Sequence, residues 1–356
     1  MIKSPKILYS GILYYSTSSS NSDQQSNMNH LNSHMNPASI EPWFITGFVD
    51  GEGSFSISII RHNGFNTGWC VKPIFQIGLH KKDLSLLEQI KSFFSVGSIY
   101  KDGSQMVHFR VESVKDLVLV ISHFDKYPLI TQKQVDYLLF KQVFNLINRK
   151  EHLTMAGLQK IISIKFSINR GLSDKLNAAF PKTKQVEIPS IINLEIKDPH
   201  WLAGFVSGEG CFFINLSKSS TNRLGFKVEL SFTLTQHSRD ELLMRSLIEY
   251  FGCGNIYKTE EVFRYRVVKF SNINEKIIPF FSKFTIQGVK QLDFLDFSKA
   301  AEIIKAKAHL TKEGLVLLKI RKIKSSMNKG RIYSEQPSSS TSPFKCGSAA
   351  VLRTKK

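Results

Sequence analysis

Two glutamates, each between two glycines, are the residues of this chain best suited to act together in catalysis. Glu52 lies in the segment PWFITGFVDGEGSF and Glu209 lies in PHWLAGFVSGEGCF, so the same motif occurs twice. The glycines leave the space beside each carboxylate open to a phosphate group or a metal ion. Two such carboxylates would offer hard oxygen ligands to Mg²⁺, which could then activate water for phosphodiester hydrolysis. A solvated glutamate in a helix-ending turn would explain one copy, but it explains two copies in register poorly.

The two motifs belong to a repeat that covers most of the chain. The separation of the two glutamates, 209 − 52 = 157 residues, also relates His80 to His237 and Asp83 to Asp240. Repeats of this length are whole domains, and two copies can pair about a pseudo-twofold axis inside one chain. We therefore expect each copy to contribute one acidic residue to a shared centre.

Each copy has the pattern of an αββαββα unit with a C-terminal helical extension, so the predicted fold class is α+β. The motif helix begins at a proline, Pro42 in one copy and Pro199 in the other. We expect it to end at the glycines around the acid through a left-handed C-terminal cap. Gly47 and Gly204 lie in the middle of these helices, where glycine costs about 0.5–1 kcal/mol relative to alanine. Close backbone contact between the two helices would compensate for this cost.

Alternation along the predicted strands places polar side chains on the face of each sheet that is opposite the core. Short hydrogen-bonding and basic side chains suit base edges and phosphates, and a curved sheet of them can lie in a major groove. One face of an antiparallel sheet is normally solvated, so any single polar residue there has an ordinary structural explanation. The candidates for DNA contact are Ser56, Ser58, Ile60, His62, Lys72, Ile74, Gln76, Gly78, His108 and Arg110 in the first repeat, and Phe213, Asn215, Ser217, Glu229, Ser231, Thr233, Thr235, Arg264 and Arg266 in the second.

The charge balance indicates a polyanionic partner. The 356 residues include 48 Lys and Arg against 29 Asp and Glu, which gives a formal net charge of +19. Such an excess predicts nucleic acid first and an anionic membrane second. No apolar run approaches the ~18 residues of a membrane span. The four cysteines have neither CxxC spacing nor histidines at zinc-ligand distances, so no structural zinc is indicated.

Composition also suggests where the domains begin and end. Residues 1–38 are rich in Ser and Asn and contain no acidic residue before Asp23, which is typical of an organellar transit peptide or a disordered leader. We expect a first domain over 39–175, a linker over 176–196 and a second domain over 197–331. Residues 332–356 are predicted to be a disordered tail.

Several of these segments resemble the monomeric, two-motif LAGLIDADG homing endonucleases. ITGFVDGEG (Ile45–Gly53) and LAGFVSGEG (Leu202–Gly210) are similar to the two signature motifs, and the resemblance extends from about residue 42 to residue 331. KYPLITQKQVDY (Lys126–Tyr137), EHLT (Glu151–Thr154), SGEGCFF and HLTKEG resemble the fungal mitochondrial intron-encoded branch.

This resemblance implies a saddle of two pseudo-twofold-related αββαββα units whose antiparallel sheets bind a long asymmetric DNA site. It implies cleavage of both strands across the minor groove, with Mg²⁺ or Mn²⁺ as the cofactor. The last acid of the family motif binds the metal, and this role carries over to Glu52 and Glu209. The family pattern also implies that Gln236 helps to place the attacking water and that Lys133 and Lys290 belong to the active site.

One position departs from the family pattern, and more than one function fits the sequence. Leu79 occupies the place in the first repeat that Gln236 occupies in the second, so we expect unequal half-sites with one DNA strand cut faster. An intron RNA maturase, alone or in addition to DNA cleavage, is the alternative function, and a catalytically silent DNA-binding regulator is a third. The expected protein is a mitochondrial monomer whose partner is double-stranded DNA, with intron RNA as the alternative partner.

Overall fold

A computed structural model describes residues 40–168, 171–189 and 195–328 of the chain. The predicted leader over 1–38 and the predicted tail over 332–356 lie outside these residues, as do residues 190–194 of the predicted linker. Within the described residues, no helix has both the length and the apolar character that crossing a membrane would require.

The first repeat begins with helix α1 (Pro42–Glu52), which runs directly into strand β1 (Gly53–Arg61). Strand β2 (Trp69–His80), helix α2 (Leu84–Phe94) and the hairpin of β3 (Ser98–Asp102) and β4 (Met106–Val111) follow. Helices α3 (Val114–Lys126), α4 (Lys133–Asn148) and α5 (Met155–Ser167) come next. A short helix α6 (Asp174–Ala179) spans the predicted domain boundary at residue 175.

The second repeat has the same order of elements. Helix α7 (Pro199–Glu209) leads into strands β5 (Cys211–Lys218) and β6 (Phe226–His237), which helix α8 (Glu241–Phe251) and strands β7 (Asn255–Lys258) and β8 (Val262–Val267) follow. A short α9 (Phe270–Asn272) continues through a π-helical turn (Ile273–Ile277) into α10 (Ile278–Lys283). Helices α11 (Lys290–Lys305) and α12 (Lys312–Asn328) complete the repeat.

Each repeat contains one four-stranded antiparallel sheet. The strand order is β1-β2-β4-β3 in the first sheet and β5-β6-β8-β7 in the second. Phe55 pairs with Phe75 in the register of the first sheet, and Phe212 pairs with Phe232 in the second. In both pairs the ring centroids lie 5.2 Å apart inside the core. The predicted α+β class with two αββαββα repeats is therefore confirmed.

The ends of the two motif helices differ from the expected left-handed cap, so that prediction was wrong. Gly53 has φ −76° and ψ 159°, and Gly210 has φ −71° and ψ 153°, both of which are extended conformations. The chain passes straight from helix into strand, which leaves no room beside these residues. A Cβ atom on Gly53 would lie 2.5 Å from Cγ1 of Val49, and one on Gly210 would lie 2.4 Å from Cγ1 of Val206. Lack of space therefore explains these glycines.

Helices α1 and α7 cross in direct backbone contact. A Cβ atom on Gly47 would lie 1.8 Å from the carbonyl oxygen of Trp201, and one on Gly204 would lie 2.0 Å from that of Phe44. No side chain fits at such distances, so glycine is required at the crossing in both helices. The gain from this contact compensates for the helix propensity that glycine loses.

We expect Gly47→Ala and Gly204→Ala each to destabilise the protein by about 2 kcal/mol or more. Alanine favours the helix by about 1 kcal/mol, but overpacking against backbone atoms costs about 1–3 kcal/mol and sometimes more. Urea unfolding of each variant measures the change. Gly64→Ala is the matched control, since a Cβ atom there meets only the side chain of His62 at 3.0 Å. Unchanged unfolding midpoints in both helix variants would contradict the backbone contact.

Candidate active site and nucleic-acid interface

The helix crossing brings the two motif glutamates together. Glu52 and Glu209 are the last residues of α1 and α7. A Cβ atom on Gly208 would lie 3.1 Å from Cγ of Glu52, and one on Gly51 would lie 3.3 Å from Cγ of Glu209. Each glutamate side chain therefore lies against the glycine that precedes the other glutamate. Two partly buried carboxylates thus occupy one place on the pseudo-twofold axis.

A lysine reaches the carboxyl end of each motif helix. Lys133 donates from Nζ to the carbonyl oxygen of Val49 at 2.9 Å and to that of Gly51 at 3.1 Å. Lys290 donates in the same way to the carbonyl oxygen of Gly208. These carbonyls are among the last of α1 and α7, where the helix dipole is negative. The two ammonium groups therefore offset the unfavourable position of carboxylates at helix C-termini.

The two lysines and two glutamates are electrostatically coupled. Burial lowers the pKa of Lys133 below its ordinary value, and nearby carboxylates, Glu209 and Glu52 among them, oppose this shift. Burial raises the pKa of Glu209, and the charges of Lys290 and Lys133 oppose that rise. The structure thus brings together four of the five residues that the sequence assigned to catalysis.

The fifth residue, Gln236, lies beside one of the two glutamates. It occupies the end of β6, opposite Phe263, and its side chain hydrogen-bonds to Glu209. Leu79, its counterpart in the first repeat, is buried and has no side-chain hydrogen-bonding group. The two halves of the site therefore differ in chemistry at this position.

Asp50 links the two repeats. Its Oδ2 accepts hydrogen bonds from the backbone N–H of Ile130 at 3.1 Å and from Nε1 of Trp201, in the other repeat, at 2.8 Å. Its Oδ1 accepts from the backbone N–H of Thr131 at 3.2 Å and from the hydroxyl of the same residue at 2.5 Å. Burial raises the pKa of Asp50 to about 6, although these donors oppose the rise.

The second repeat replaces this arrangement with a smaller one. Ser207 occupies the position of Asp50, accepts from the backbone N–H of Gln287 at 3.0 Å and donates to the carbonyl oxygen of Ala203 at 2.8 Å. Phe44 occupies the position of Trp201, and its side chain has no N–H that needs an acceptor. Asp50 is therefore paired with the indole of Trp201, whereas the two related positions hold the hydroxyl of Ser207 and the phenyl ring of Phe44.

The donor set at the crossing fits a hard divalent cation without completing its coordination shell. The carboxylates of Glu52 and Glu209 are the oxygen ligands that such ions prefer. In the part of the chain that the structure describes, no group of three or more His, Cys, Asp and Glu residues is arranged to hold a metal. Mg²⁺ commonly binds through one or two carboxylates and retains waters or phosphate oxygens. A cation here would therefore take its remaining ligands from waters or from the phosphate oxygens of a bound partner.

The outward face of the first sheet bears the candidate DNA-contact residues in register. The cross-strand pairs are Ser56 with Ile74, Ser58 with Lys72, Gln76 with Arg110 and Gly78 with His108. Ile60 is 49% exposed. His62 lies beyond the end of β1, where its Nδ1 accepts a hydrogen bond from the backbone N–H of Gly64 at 3.1 Å.

A hydrogen-bonded network fixes part of this face. Gln76 accepts from Nε of Arg110 at 2.9 Å, and its amide nitrogen lies 2.9 Å from Nδ1 of His108. Nε2 of His108 lies 3.0 Å from a carboxylate oxygen of Asp102, and Arg110 also bonds to Glu112 at 3.1 Å. These side chains are therefore held in place before any partner binds.

The outward face of the second sheet has a matching set. Phe213 pairs with Ser231, Asn215 with Glu229, Ser217 with Lys227, Thr233 with Arg266 and Thr235 with Arg264. Both arginines thus lie on the outward face, and Arg266 bonds to Glu229 at 2.8 Å. Ser231 and Thr233 are buried although they lie on this face, so little of either side chain is accessible to a partner.

Sequence reasoning missed two aromatic residues on these faces. Tyr100 pairs with His108, and Tyr257 pairs with Arg264, so both tyrosines lie on the outward faces. They are 52% and 48% exposed, and the guanidinium of Arg110 lies 5.8 Å from the centroid of the Tyr100 ring. The signal was present in the sequence, because the segment Ile99–Lys101 recurs as Ile256–Lys258 and alternation along it predicts the same face.

Two αββαββα repeats that share one pair of acids at a helix crossing define a single-chain, two-motif LAGLIDADG architecture. Residues 45–144 and residues 202–301 each match the family model described as LAGLIDADG endonuclease. These segments make up more than half of the chain, which therefore belongs to the LAGLIDADG endonuclease family. The resemblance inferred from the motifs is confirmed.

Relatives and solved structures agree with this assignment. "Probable intron-encoded endonuclease 3" of Neurospora crassa is 40% identical over 282 residues, which are 78% of this chain and 52% of the relative. "Probable intron-encoded endonuclease 2" of the same organism is 40% identical over 305 residues, 82% of this chain and 66% of the relative. The chain thus spans about half to two thirds of the length of these relatives. I-SmaMI bound to an uncleaved DNA target in the presence of calcium ions is 48% identical with a TM-score of 0.79, over 81% of this chain and 99% of that chain.

We expect Asp50 and Trp201 to show a coupling free energy of about 1–3 kcal/mol in a double-mutant cycle. Asp50→Ser leaves the buried indole N–H without its acceptor, and Trp201→Phe removes one donor from the carboxylate, so each variant loses stability. The double variant has the same two residue types as Ser207 and Phe44. It should lose less stability than the sum of the losses in the two single variants. Urea unfolding at pH 8 measures all four free energies. Strict additivity would contradict the interaction.

The same cycle should depend on pH, since burial raises the folded-state pKa of Asp50 to about 6, above an unfolded value of about 4. A carboxyl with a raised pKa favours the folded state more as pH falls from about 6 towards 4. Wild type should therefore gain stability relative to Asp50→Ser in this window. The Asp50–Trp201 coupling should shrink there, because a protonated carboxyl accepts less strongly. A pH-independent coupling would contradict the raised pKa.

Proposed function

We propose that this chain is a site-specific endonuclease that cuts both strands of a long, asymmetric DNA site by metal-dependent phosphodiester hydrolysis. The observation that carries the proposal is the placement of Glu52 and Glu209, one from each repeat, against each other's glycines at the helix crossing. I-SmaMI, described as bound to a DNA target with calcium ions, supports both the substrate class and a divalent cation.

The outward faces of the two sheets are the proposed DNA-binding surface. Basic residues such as Lys72, Arg110, Arg264 and Arg266 suit phosphates and guanine edges, and the short hydroxyl and amide side chains suit other base edges. The net charge of +19 favours association with a polyanion. Because the two faces carry different residues, each would read a different half-site.

At the centre, Glu52 and Glu209 would hold the cation, for which we infer Mg²⁺ or Mn²⁺. Such a cation supplies an activated water and stabilises the leaving oxygen when it is bound. Lys133 and Lys290 hold the ends of the motif helices and limit the repulsion between two adjacent carboxylates. Gln236 orients the carboxylate of Glu209 through its hydrogen bond and would help to place the water.

We further propose that the protein acts in mitochondria as a monomer. Both Neurospora relatives are named as intron-encoded, and the basic, acid-poor composition of residues 1–38 is compatible with organellar targeting. Two repeats in one chain already supply both acids, so a second copy is not needed to complete the site.

We expect Glu52→Gln to lower the rate of DNA cleavage by more than about 100-fold and to leave DNA affinity nearly unchanged. Substitutions of residues outside the ligand shell of a metal typically lower metal affinity or activity by 10–100-fold, and loss of a carboxylate ligand should lower them further. The assay incubates a randomised duplex library, supplemented with host organellar DNA, with Mg²⁺ or Ca²⁺ and captures the ends produced. Glu249→Gln is the matched control, because Glu249 is exposed on α8, away from the crossing.

Discrete double-strand cuts by wild type and by Glu249→Gln, with none from Glu52→Gln, would support the endonuclease. DNA that wild type binds in Mg²⁺ but does not cut would overturn the proposed cleavage. Intron RNA would then be the next substrate to test, since a maturase should retain its activity in Glu52→Gln.

We also expect wild type to produce nicked intermediates that are cut mainly in one strand. Gln236 hydrogen-bonds to Glu209, whereas Leu79 provides no such contact in the other half. Gln236→Leu makes the halves alike and should reduce the difference in strand cleavage rates by about tenfold or more. Duplexes with a separate label on each strand measure both rates. Gln159→Leu, on exposed α5 surface, should keep the bias, and unbiased nicking by wild type would contradict the prediction.

A further inference from the structure

Two aspartates make matching hydrogen bonds across the boundary between the repeats. Oδ1 of Asp83 accepts from the backbone N–H of Val289 at 2.6 Å, and Oδ1 of Asp240 accepts from the backbone N–H of Gln132 at 2.7 Å. The residue shift that relates the two motifs also relates these two pairs. A single interaction is therefore repeated about the pseudo-twofold axis, as in the interface of a symmetric dimer.

Each aspartate caps a helix of the other repeat. Gln132 directly precedes α4 and Val289 directly precedes α11, and neither residue supplies a capping hydrogen bond from its own side chain. The first N–H groups of a helix have no acceptor within that helix. A carboxylate at this point satisfies one of them and interacts favourably with the positive end of the helix dipole.

The capped residue is followed at once by a lysine of the candidate active site. Lys133 is the first residue of α4, and its Nζ donates to the carbonyl oxygens of Val49 and Gly51. Lys290 is the first residue of α11, and its Nζ donates to that of Gly208. The start of each helix therefore determines where the ammonium group lies. The aspartate of the other repeat holds that start together with contacts inside the same repeat, from Asp50 in the first and Ser207 in the second.

The neighbourhood of both aspartates is adapted to this contact. Gly288 has φ +71°, and a Cβ atom on it would lie 2.5 Å from Oδ1 of Asp83. A side chain there would displace the aspartate from α11. Asp240 is buried, with Nε of Arg239 at 3.8 Å from its second oxygen. Gly288 thus leaves room for Asp83 to reach α11, and burial limits the positions open to Asp240.

We propose that Asp83 and Asp240 are positioning residues that act across the repeat boundary. Asp240 sets the position of Lys133 in the first repeat, and Asp83 sets the position of Lys290 in the second. Each half of the candidate active site then depends on the other repeat. The effect on DNA cleavage rests on the proposed function, whereas the effect on the lysines does not.

The test measures the reactivity of both lysines in the full-length protein. An amine-selective acetylating reagent is added, and mass spectrometry follows acetylation of Lys133 and Lys290 in the same sample. Asp240→Ala should speed acetylation of Lys133 about fivefold and should leave Lys290 unchanged. Fivefold corresponds to the loss of about 1 kcal/mol of helix stability that is typical when an N-cap is removed. Asp83→Ala should have the reverse effect. Asp240→Asn and Asp83→Asn keep an acceptor oxygen and should restore most of the protection.

Asp198→Ala is the matched control, since Asp198 caps α7 within its own repeat by accepting from the backbone N–H of His200 at 2.8 Å. It should change neither lysine. Gly288→Ala disturbs the start of α11 by a second route, because its Cβ atom would meet Asp83 and its φ of +71° disfavours alanine, and it should expose only Lys290. The two Asn variants keep the test decisive if an alanine variant of an aspartate fails to fold.

Strand-resolved cleavage of a DNA target provides the functional readout. Asp240→Ala and Asp83→Ala should each slow mainly one strand, and the two variants should affect opposite strands. Equal effects on both lysines, or none, would overturn the proposal. The crossed lysine pattern in a protein that cuts no DNA would instead overturn the proposed function and leave this inference standing.

Discussion

The backbone contact between the two motif helices is the constraint on which the rest of the structure depends. Gly47 and Gly204 let α1 and α7 approach until each would-be Cβ atom overlaps a carbonyl of the other helix. Each glutamate follows its glycine at the same spacing, so a symmetric crossing brings Glu52 and Glu209 side by side. Because each helix passes straight into the first strand of its sheet, the same crossing also sets where both outward faces begin. A wider crossing would move the two acids apart, and it would move the two outward faces apart as well.

This crossing creates an electrostatic problem that the neighbouring helices solve. Two carboxylates lie together at the negative ends of two helices, and each such placement is unfavourable by about 0.3–1 kcal/mol. Lys133 and Lys290 place ammonium groups on the terminal carbonyls. A buried ammonium is itself costly unless it is paired, and the carbonyls and carboxylates provide the partners. The lysines and glutamates therefore stabilise one another, and helices from later in each repeat supply the lysines that reach the crossing.

The parts of this arrangement that follow from local periodicity could be predicted from the sequence. Alternation placed Ser56, Gln76 and Arg264 on the outward faces, and the repeated motif indicated that the acids converge. The prediction of a left-handed cap was wrong. Glycine is required either where φ is positive or where a side chain has no space, and the sequence does not distinguish these two cases. The contacts made by Asp83 and Asp240 join residues 206 and 108 positions apart. No local pattern specifies such partners, although the recurrence of both aspartates in the repeat was visible.

Differences between the repeats indicate which contacts must stay symmetric. In a homodimer, a buried indole at the crossing would require an acceptor in both subunits, whereas here Trp201 needs only Asp50. Ser207 and Phe44 can then fill the related places with smaller groups. The glycines, glutamates, lysines and capping aspartates remain paired, because each of them serves both halves of one centre. The outward faces differ, as the proposed asymmetric DNA site would require. Fusion of the two repeats thus permits divergence at related positions such as Asp50 and Ser207, which would have to be identical in a homodimer.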